Sequence, residues 1–211
     1  MAEPEHSAPQ VRRLTPRGAA TRDRIVQAAA ELMLVKGVNA TTLDDVRAAS
    51  STSKSQLYHH FADKDALVHE VIAVRAKEIL TRERQRLERL NSFRGLQRWR
   101  TALVHAAALR HGAYGCALGS MANELADQDE VARSALAQSF TVWGSLIADG
   151  LRRMQANGSL QPTADPDTLA TGLLAALQGG YLLADTAHDV RPMEIALDMA
   201  LDQVKTLLVT G

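Results

Sequence analysis

Apolar side chains recur every three or four residues along most of this chain, which is the spacing of one face of an α-helix. The first such stretch, 21–36, ends at Gly37, a residue type that often closes helices. A longer stretch begins after Asp63 and continues to about residue 90. Beyond it the same spacing predicts helices over 92–111, 118–126, 129–156, 166–188 and 192–209. The pattern therefore predicts an all-α protein.

Between the first helix and the long one, residues 41–64 predict two short helices. Leu43, Val46 and Ala49 lie three residues apart and form the apolar face of the first, which either threonine of the preceding pair can cap. The polar run 50–53 is too long to continue that face. The sequence therefore predicts a helix, a turn and a second helix.

The second short helix is predicted over 54–60, with Ser53 as its N-cap. Only Leu57 and Phe61, spaced four residues apart, are strong inward anchors. The other side chains are free to face outward, and they are mostly short or planar hydrogen-bonding groups. A plain surface helix with a polar face is the alternative interpretation.

The outward side chains suit the phosphates and base edges of DNA. A helix in the major groove needs donors and acceptors near its N-terminus, where the helix dipole also favours phosphate. Gln56 could contact an adenine edge, and Lys54 a phosphate or a guanine. Including residues at the neighbouring helix starts, the predicted DNA-binding residues are Thr42, Thr52, Ser53, Lys54, Ser55, Gln56, Tyr58, His59, His60 and Lys64.

Residues 21–71 resemble the N-terminal DNA-binding domain of the TetR family of bacterial one-component regulators. The resemblance depends on several elements in order: Gly37 after the first helix, the run Leu57-Tyr58-His59-His60-Phe61, and Lys64 at the start of the next helix. One departure is that Ser51 and Thr52 stand in the turn, where the family usually has a glycine and an apolar residue.

The resemblance implies a homodimer whose last two helices form a four-helix interface. Those helices are apolar over more than one face, so the core of one chain cannot easily bury all of their apolar side chains. The predicted interface residues are Leu173, Leu177, Gly180, Leu183, Ile195, Met199, Leu201, Val204 and Leu208. A close backbone approach, or a kink beside a cavity, would explain the pair Gly179-Gly180 within a helix.

The resemblance also implies a small-molecule cavity in the C-terminal half. Candidates for its lining are large or polar residues on otherwise apolar helices: His105, Tyr114, Met121, Asn123, Phe140, Trp143, Gln178 and Tyr181. For each one alone, ordinary core packing is the alternative. The glycine-rich segment 112–119 could form a hinge or a cavity wall, and its spacing does not match a phosphate loop.

Charge is distributed unevenly along the chain, although its formal net charge is zero. Residues 1–100 contain 18 Lys and Arg against 12 Asp and Glu, a net of +6, whereas residues 101–211 contain 6 against 12, a net of −6. A basic N-terminal half suits a polyanion, and an acidic C-terminal half has to face away from it.

Three regions follow from these patterns: a disordered basic arm over 1–18, a helix-turn-helix domain over 19–65, and a helical ligand-binding and dimerisation domain over 66–211. Arg12, Arg13 and Arg17 of the arm could reach the DNA backbone or minor groove, or could only keep the chain soluble.

Several protein classes are disfavoured. The single cysteine, Cys116, cannot form an intramolecular disulfide or a cysteine-cluster zinc site, so it is either a buried free thiol or a redox sensor beside a cation. No long apolar run or signal peptide is recognisable, which predicts a cytoplasmic protein. The sequence contains neither His-Glu-x-x-His nor Gly-x-Ser-x-Gly, and no cofactor, metal site or enzymatic activity is expected.

We therefore expect a homodimeric regulator that binds a near-palindromic DNA operator and releases it when a small-molecule effector binds. A repressor, rather than an activator, is what the family resemblance implies. Two alternatives remain at this point: a helical binding protein that keeps the DNA domain only as a scaffold, and an all-α enzyme that uses the cavity.

Overall fold

A computed structural model describes residues 15–209, and all of their regular secondary structure is α-helical. The helices are α1 (Pro16–Lys36), α2 (Leu43–Ser50), α3 (Lys54–His60), α4 (Lys64–Leu87), α5 (Phe93–Ala108), α6 (Ala117–Leu125), α7 (Glu130–Ala156), α8 (Pro166–Ala187) and α9 (Arg191–Thr206). A single antiparallel bridge joins Leu160 to Leu208. The all-α prediction is confirmed.

Helix α1 begins earlier than the sequence pattern predicted. The Thr15 hydroxyl accepts the N–H of Gly18 at 3.2 Å, and Pro16 occupies the first helical position, where its missing N–H costs nothing. Residues 16–18 are therefore helical and do not belong to a disordered arm. The rest of the predicted arm, including Arg12 and Arg13, lies outside the described residues.

The first three helices pack against each other and against the start of α4. Leu57 and Phe61 are buried as predicted, beside Ile25 of α1. The apolar face predicted for α2 is wrong at one position, because Ala49 is exposed and Ser50 is buried in its place. Ser50 tolerates burial because its hydroxyl is 2.8 Å from the hydroxyl of Thr52.

Helix α4 connects this N-terminal unit to the C-terminal helices, because it packs against α1 as well as against α6 and α7. The predicted stripe of α7 forms the centre of the second core. Its members Leu136, Trp143, Ile147 and Leu151 are buried, and Phe140 is half-buried. One continuous core therefore runs from the helix-turn-helix into the C-terminal helices.

The pairing of α8 with α9 corrects five of the predicted interface residues. Leu173, Leu177, Gly180, Leu201 and Val204 are buried within this chain and are not available to a partner. They lie on the inner faces of the two helices, which pack against each other and, through α8, against α7.

Gly180 has an intramolecular role as well. A Cβ atom at this position would lie 2.9 Å from the Cα of Met193, so the glycine permits close packing of α9 against α8. The remaining predicted interface residues are not buried within the chain. Leu183, Ile195 and Met199 are more than half exposed, and Leu208 is half-buried at its bridge with Leu160.

None of the helices in the described range 15–209 is long and apolar enough to cross a membrane.

Candidate DNA-binding surface and effector cavity

Two capping boxes fix the starts of α2 and α3. The Thr42 hydroxyl accepts the N–H of Asp45 at 3.1 Å, and the Asp45 carboxylate accepts the N–H of Thr42 at 3.1 Å. Ser53 and Gln56 repeat the arrangement, with distances of 3.2 Å and 2.9 Å. Both short helices are therefore stabilised locally, and the predicted Ser53 cap is confirmed.

Ser51 supplies the left-handed residue of the turn between α2 and α3, with φ 51° and ψ 43°. The chain thus makes the turn without glycine, at a cost of roughly 1–3 kcal/mol for a non-glycine residue in this conformation. Thr52 was predicted to face DNA, and this is wrong for the structure described. Its side chain is buried and its hydroxyl is paired with that of Ser50, so it belongs to the turn's interior.

The outer side of α3 carries the side chains predicted to contact DNA. Tyr58 is 48% exposed and Lys54 lies with its Nζ 6.0 Å from the Tyr58 ring centre. We call the exposed or half-exposed predicted residues the recognition surface; they are Thr42, Ser53, Lys54, Ser55, Gln56, Tyr58, His59, His60 and Lys64. In the DNA-free chain, the Gln56 side-chain oxygen is engaged in its capping box.

Two features of the recognition surface affect its charge. Lys64 donates from its Nζ to the carbonyl oxygen of Asn39 at 3.3 Å, which holds the ammonium beside the entry to α2. Partial burial lowers the pKa of His60, and the charges of His59 and Arg22 lower it further. His60 is therefore neutral at physiological pH, and the lysines supply the positive charge at this surface.

An ion pair braces α1 against α4 beneath this surface. The two Nη atoms of Arg22 donate to the Glu70 carboxylate, each at 2.8 Å, and the same guanidinium lies 5.1 Å from the centre of the Phe61 ring. The hydrogen bond from Arg22 lowers the pKa of Glu70. The pair fixes α4, whose first turn carries Lys64, relative to α1.

A second connection joins the N-terminal unit to α6. The two oxygens of Glu124 accept the backbone N–H groups of Val38 at 2.9 Å and Asn39 at 2.8 Å. Gly37, with φ 85°, makes the approach possible, because a Cβ there would lie 2.9 Å from a Glu124 oxygen. Sequence reasoning missed Glu124, since nothing local distinguishes it from other surface glutamates.

An outer cavity of about 340 Å³ lies between α6, α7 and α8. It is lined by Gly115, Cys116, Gly119, Ser120, Ala122, Asn123, Phe140, Gln178, Gly179, Tyr181, Leu182 and Asp185. Four predicted ligand residues meet here: Asn123, Phe140, Gln178 and Tyr181. A more open groove of about 500 Å³ between α7 and α8 shares Phe140 and Gln178 with it.

A smaller inner cavity of about 110 Å³ adjoins the outer one, and Gly115, Cys116 and Tyr181 line both. Trp143 lines the inner cavity, together with three arginines and Glu78, none of which sequence reasoning had selected. The predicted glycine-rich wall does border both spaces, through Gly115.

Three predicted ligand residues, His105, Tyr114 and Met121, lie outside the linings of these two cavities. His105 is exposed on α5 and Tyr114 is exposed at φ 65°, with its N–H bonded to Asp185. Met121 is buried in the core.

Burial raises the pKa of the Cys116 thiol and of the Tyr181 hydroxyl. The thiol is thus held protonated, which disfavours thiolate chemistry and agrees with a buried, unreactive cysteine. Both residues line both cavities.

Comparison with known families decides the identity of the fold. The model of "Bacterial regulatory proteins, tetR family" matches residues 25–71, and that of "Tetracyclin repressor-like, C-terminal domain" matches residues 87–200, more than half of the chain. The chain belongs to the TetR family. It is therefore a TetR-family transcriptional regulator, with an N-terminal helix-turn-helix domain and a C-terminal helical domain. TetR regulators are not a class of enzymes.

Relatives and solved structures agree with this assignment. The HTH-type transcriptional repressor DhaR of Mycobacterium sp. (strain GP1) is 24% identical over 183 residues, 86% of this chain and 90% of that protein. The transcriptional regulator AcuR of Cereibacter sphaeroides is 28% identical and covers 84% of each chain. A TetR regulator from Chloroflexus aurantiacus shares the fold with a TM-score of 0.78 at 22% identity, over 93% of this chain and all of that one.

Proposed function

We propose that this TetR regulator represses transcription by binding a near-palindromic operator as a homodimer, and that a small-molecule effector releases it. The observation that carries the proposal is the arrangement of α3. Leu57 and Phe61 anchor its inner side in the core, while Lys54, Gln56 and Tyr58 stay exposed. This is the geometry needed to insert a helix into a major groove. Residues 19–65 would bind DNA, and residues 66–211 would hold the effector and the partner.

An exposed apolar patch on the α8–α9 hairpin supports the dimer. The patch consists of Leu182, Leu183, Ile195 and Met199, which are 57%, 55%, 51% and 69% exposed. Four large, exposed apolar side chains on one hairpin favour association with a copy of the same surface. A two-fold dimer would present two α3 helices to successive major grooves about 34 Å apart, which is why the operator should be nearly palindromic.

The route from the cavity to DNA would pass through α6. Gly119, Ser120 and Asn123 of this helix line the outer cavity, and Glu124, the next residue, holds the loop that leads into α2. An effector that shifts α6 would move Glu124 against Val38 and Asn39, and with them the recognition surface. A coupling free energy of roughly 1–3 kcal/mol would weaken operator binding about 5- to 150-fold.

The scaffold alternative depended on the unusual turn, and the left-handed conformation of Ser51 removes that reason for it.

Selection from random duplexes tests the proposal. The full chain, used to enrich double-stranded DNA through several rounds, should yield a near-palindrome with half-sites about one helical turn apart. A chain that enriches no sequence, or only a single unsymmetrical site bound by a monomer, would contradict it.

A further inference from the structure

The two adjoining cavities carry a chemical signature that goes beyond the presence of an effector site. Three side-chain nitrogen atoms around them are buried and have no hydrogen-bond partner among residues 15–209: Trp143 Nε1, Arg75 Nε and Gln178 Nε2. All three are donors, and no side-chain oxygen in the same part of the chain is left in this state. Buried donors without acceptors cost free energy, so a bound molecule that supplies acceptors would be stabilised here.

The donors belong to three helices, α4, α7 and α8. Trp143 is 2% exposed and lines the inner cavity beside Arg75. Gln178 lines the outer cavity, next to the Tyr181 side chain that borders both. A ligand that occupied both cavities would therefore contact Trp143 and Arg75 at one end and Gln178 at the other.

Charge distinguishes the two cavities. The inner one is lined by three arginines, Arg75, Arg82 and Arg110, and by one carboxylate, Glu78. That carboxylate accepts from Arg75 Nη1 at 2.9 Å, and the Nε of Arg75 has no partner among the described residues. The outer one is bordered instead by Asp185. An anionic group is thus favoured at the inner end and disfavoured at the outer end.

The start of α6 adds to the positive field. Cys116 occupies the N-cap position but its side chain accepts no capping hydrogen bond, and Gly115, Cys116 and Ala117 all line the inner cavity. The positive end of the helix dipole therefore lies at the cavity that contains the unpaired Trp143 and Arg75 donors. The outer cavity offers mainly apolar contacts, from Phe140 and Leu182.

We propose that the paired cavities bind a small organic acid, with its carboxylate in the inner cavity and its apolar body in the outer one. The inference rests on the proposed function in taking these cavities as the effector site. A carboxylate accepts from several donors at once, which matches the Trp143 indole and Arg75 guanidinium N–H groups of the inner cavity. The apolar body fills the outer cavity, a space of about 340 Å³ whose lining is mainly carbon.

The test compares ligands that differ only in the head group. Hexanoate, hexanamide, hexan-1-ol and hexyl phosphate are titrated calorimetrically into the full chain without DNA. Hexanoate should bind at least about tenfold more tightly than hexanamide, because it adds a charge-assisted interaction. Equal binding of acid and amide, no binding of hexanoate at millimolar concentration, or tighter binding of the phosphate would each overturn the proposal.

Variants then locate the head group. Arg75→Met should remove the preference for acid over amide while leaving the affinity for the alcohol unchanged. Trp143→Phe keeps an aromatic ring but removes the indole N–H, so it should weaken hexanoate binding several-fold. Arg84→Met, an exposed arginine of the same helix that lines neither cavity, is the matched control. An unchanged acid preference in Arg75→Met would also overturn the proposal, and if that variant does not fold, the head-group series on the unaltered chain still decides.

The two proposals can fail separately. Absence of operator binding would contradict the proposed function and leave the ligand titrations intact, since these contain no DNA. Loss of the acid preference beside normal operator binding would contradict only the ligand class.

Discussion

The carboxylate of Glu124 accepts the backbone N–H of Val38 at 2.9 Å, although the two residues are 86 positions apart in the chain. Its second oxygen binds Asn39, and Asn39 in turn receives the ammonium of Lys64 on its carbonyl oxygen. The loop between α1 and α2 is therefore tied to the cavity helix α6 on one side and to the recognition surface on the other. This short chain of contacts is the route by which we propose that an effector is coupled to DNA.

Removing the Glu124 contact should release the loop. In Glu124→Ala two backbone N–H groups lose a charged acceptor. We expect the free energy of unfolding to fall by about 1–2 kcal/mol, a modest loss because water can replace the acceptor. Hydrogen exchange at the amides of Val38 and Asn39 should accelerate. Asp127→Ala, which removes a nearby exposed carboxylate, serves as the control and should change neither quantity. Unaltered exchange in Glu124→Ala would mean that the loop is held by other contacts.

Lys64 should contribute to operator binding through a phosphate. Lys64→Ala should weaken binding to specific and nonspecific duplexes alike and reduce the salt dependence by about one counterion. The free energy of unfolding should change by less than about 0.5 kcal/mol, because the ammonium is partly exposed. Lys77→Ala on the same helix lies about 20 Å farther along and should leave binding unchanged.

Tyr58 should contribute to the same surface without supporting the fold. Tyr58→Ala should weaken operator binding while thermal unfolding stays nearly unchanged, since the ring is 48% exposed. If neither Tyr58→Ala nor Lys64→Ala alters operator affinity, the DNA-binding surface has been assigned to the wrong side of the domain.

The Arg22–Glu70 brace should make stability depend on pH in a defined range. The hydrogen bond from Arg22 lowers the pKa of Glu70 in the folded chain below 4.5, so the folded state binds this proton less readily than the unfolded state. The stabilisation is complete above about pH 4.5 and is lost as the pH falls through the lowered pKa.

Urea unfolding over a pH series measures this contribution. The stability difference between the unaltered chain and Glu70→Gln should be largest at neutral pH and should shrink as the solution becomes more acidic than pH 4.5. Glu31→Gln, an exposed carboxylate on α1, is the matched control and should show no such trend. A difference that is constant with pH would rule out the ion pair as its source.

The apolar patch should hold the dimer together. Met199→Glu places a charge among side chains that a partner copy would desolvate, so it should shift the protein to monomers in sedimentation experiments. Val131→Glu alters an equally exposed apolar side chain on α7, outside the patch, and should leave the oligomeric state unchanged. A Met199→Glu protein that stays dimeric at micromolar concentration would remove this face from the interface.

Local features of the sequence predicted the fold and the helix-turn-helix well. Helix periodicity, the Ser53 cap, the Gly37 stop and the anchors Leu57 and Phe61 are all determined within a few residues, and the structure agrees with each. The buried position of Thr52 escaped prediction because it depends on a hydroxyl pair with Ser50 that forms only when Ser51 adopts its left-handed conformation.

The C-terminal half was less predictable because its features come from distant contacts. Which leucines of α8 and α9 are buried depends on how the hairpin sits on α7, and periodicity cannot distinguish an intramolecular from an intermolecular apolar face. Arg75 and Glu124 look like ordinary helix-surface residues in the sequence. Only the packing of α4 and α6 gives Arg75 a cavity and Glu124 the amides of a loop 86 positions away.

Fluorescence anisotropy tests the central claim most directly. The purified full chain is titrated into labelled duplex from the intergenic DNA upstream of its own coding sequence, and into a scrambled duplex of the same composition, at several salt concentrations. We predict tight binding to the first duplex, much weaker binding to the second, and a steep loss of affinity with salt for both. Equal, weak binding to the two duplexes at every salt concentration would contradict the account of this protein as a sequence-specific regulator.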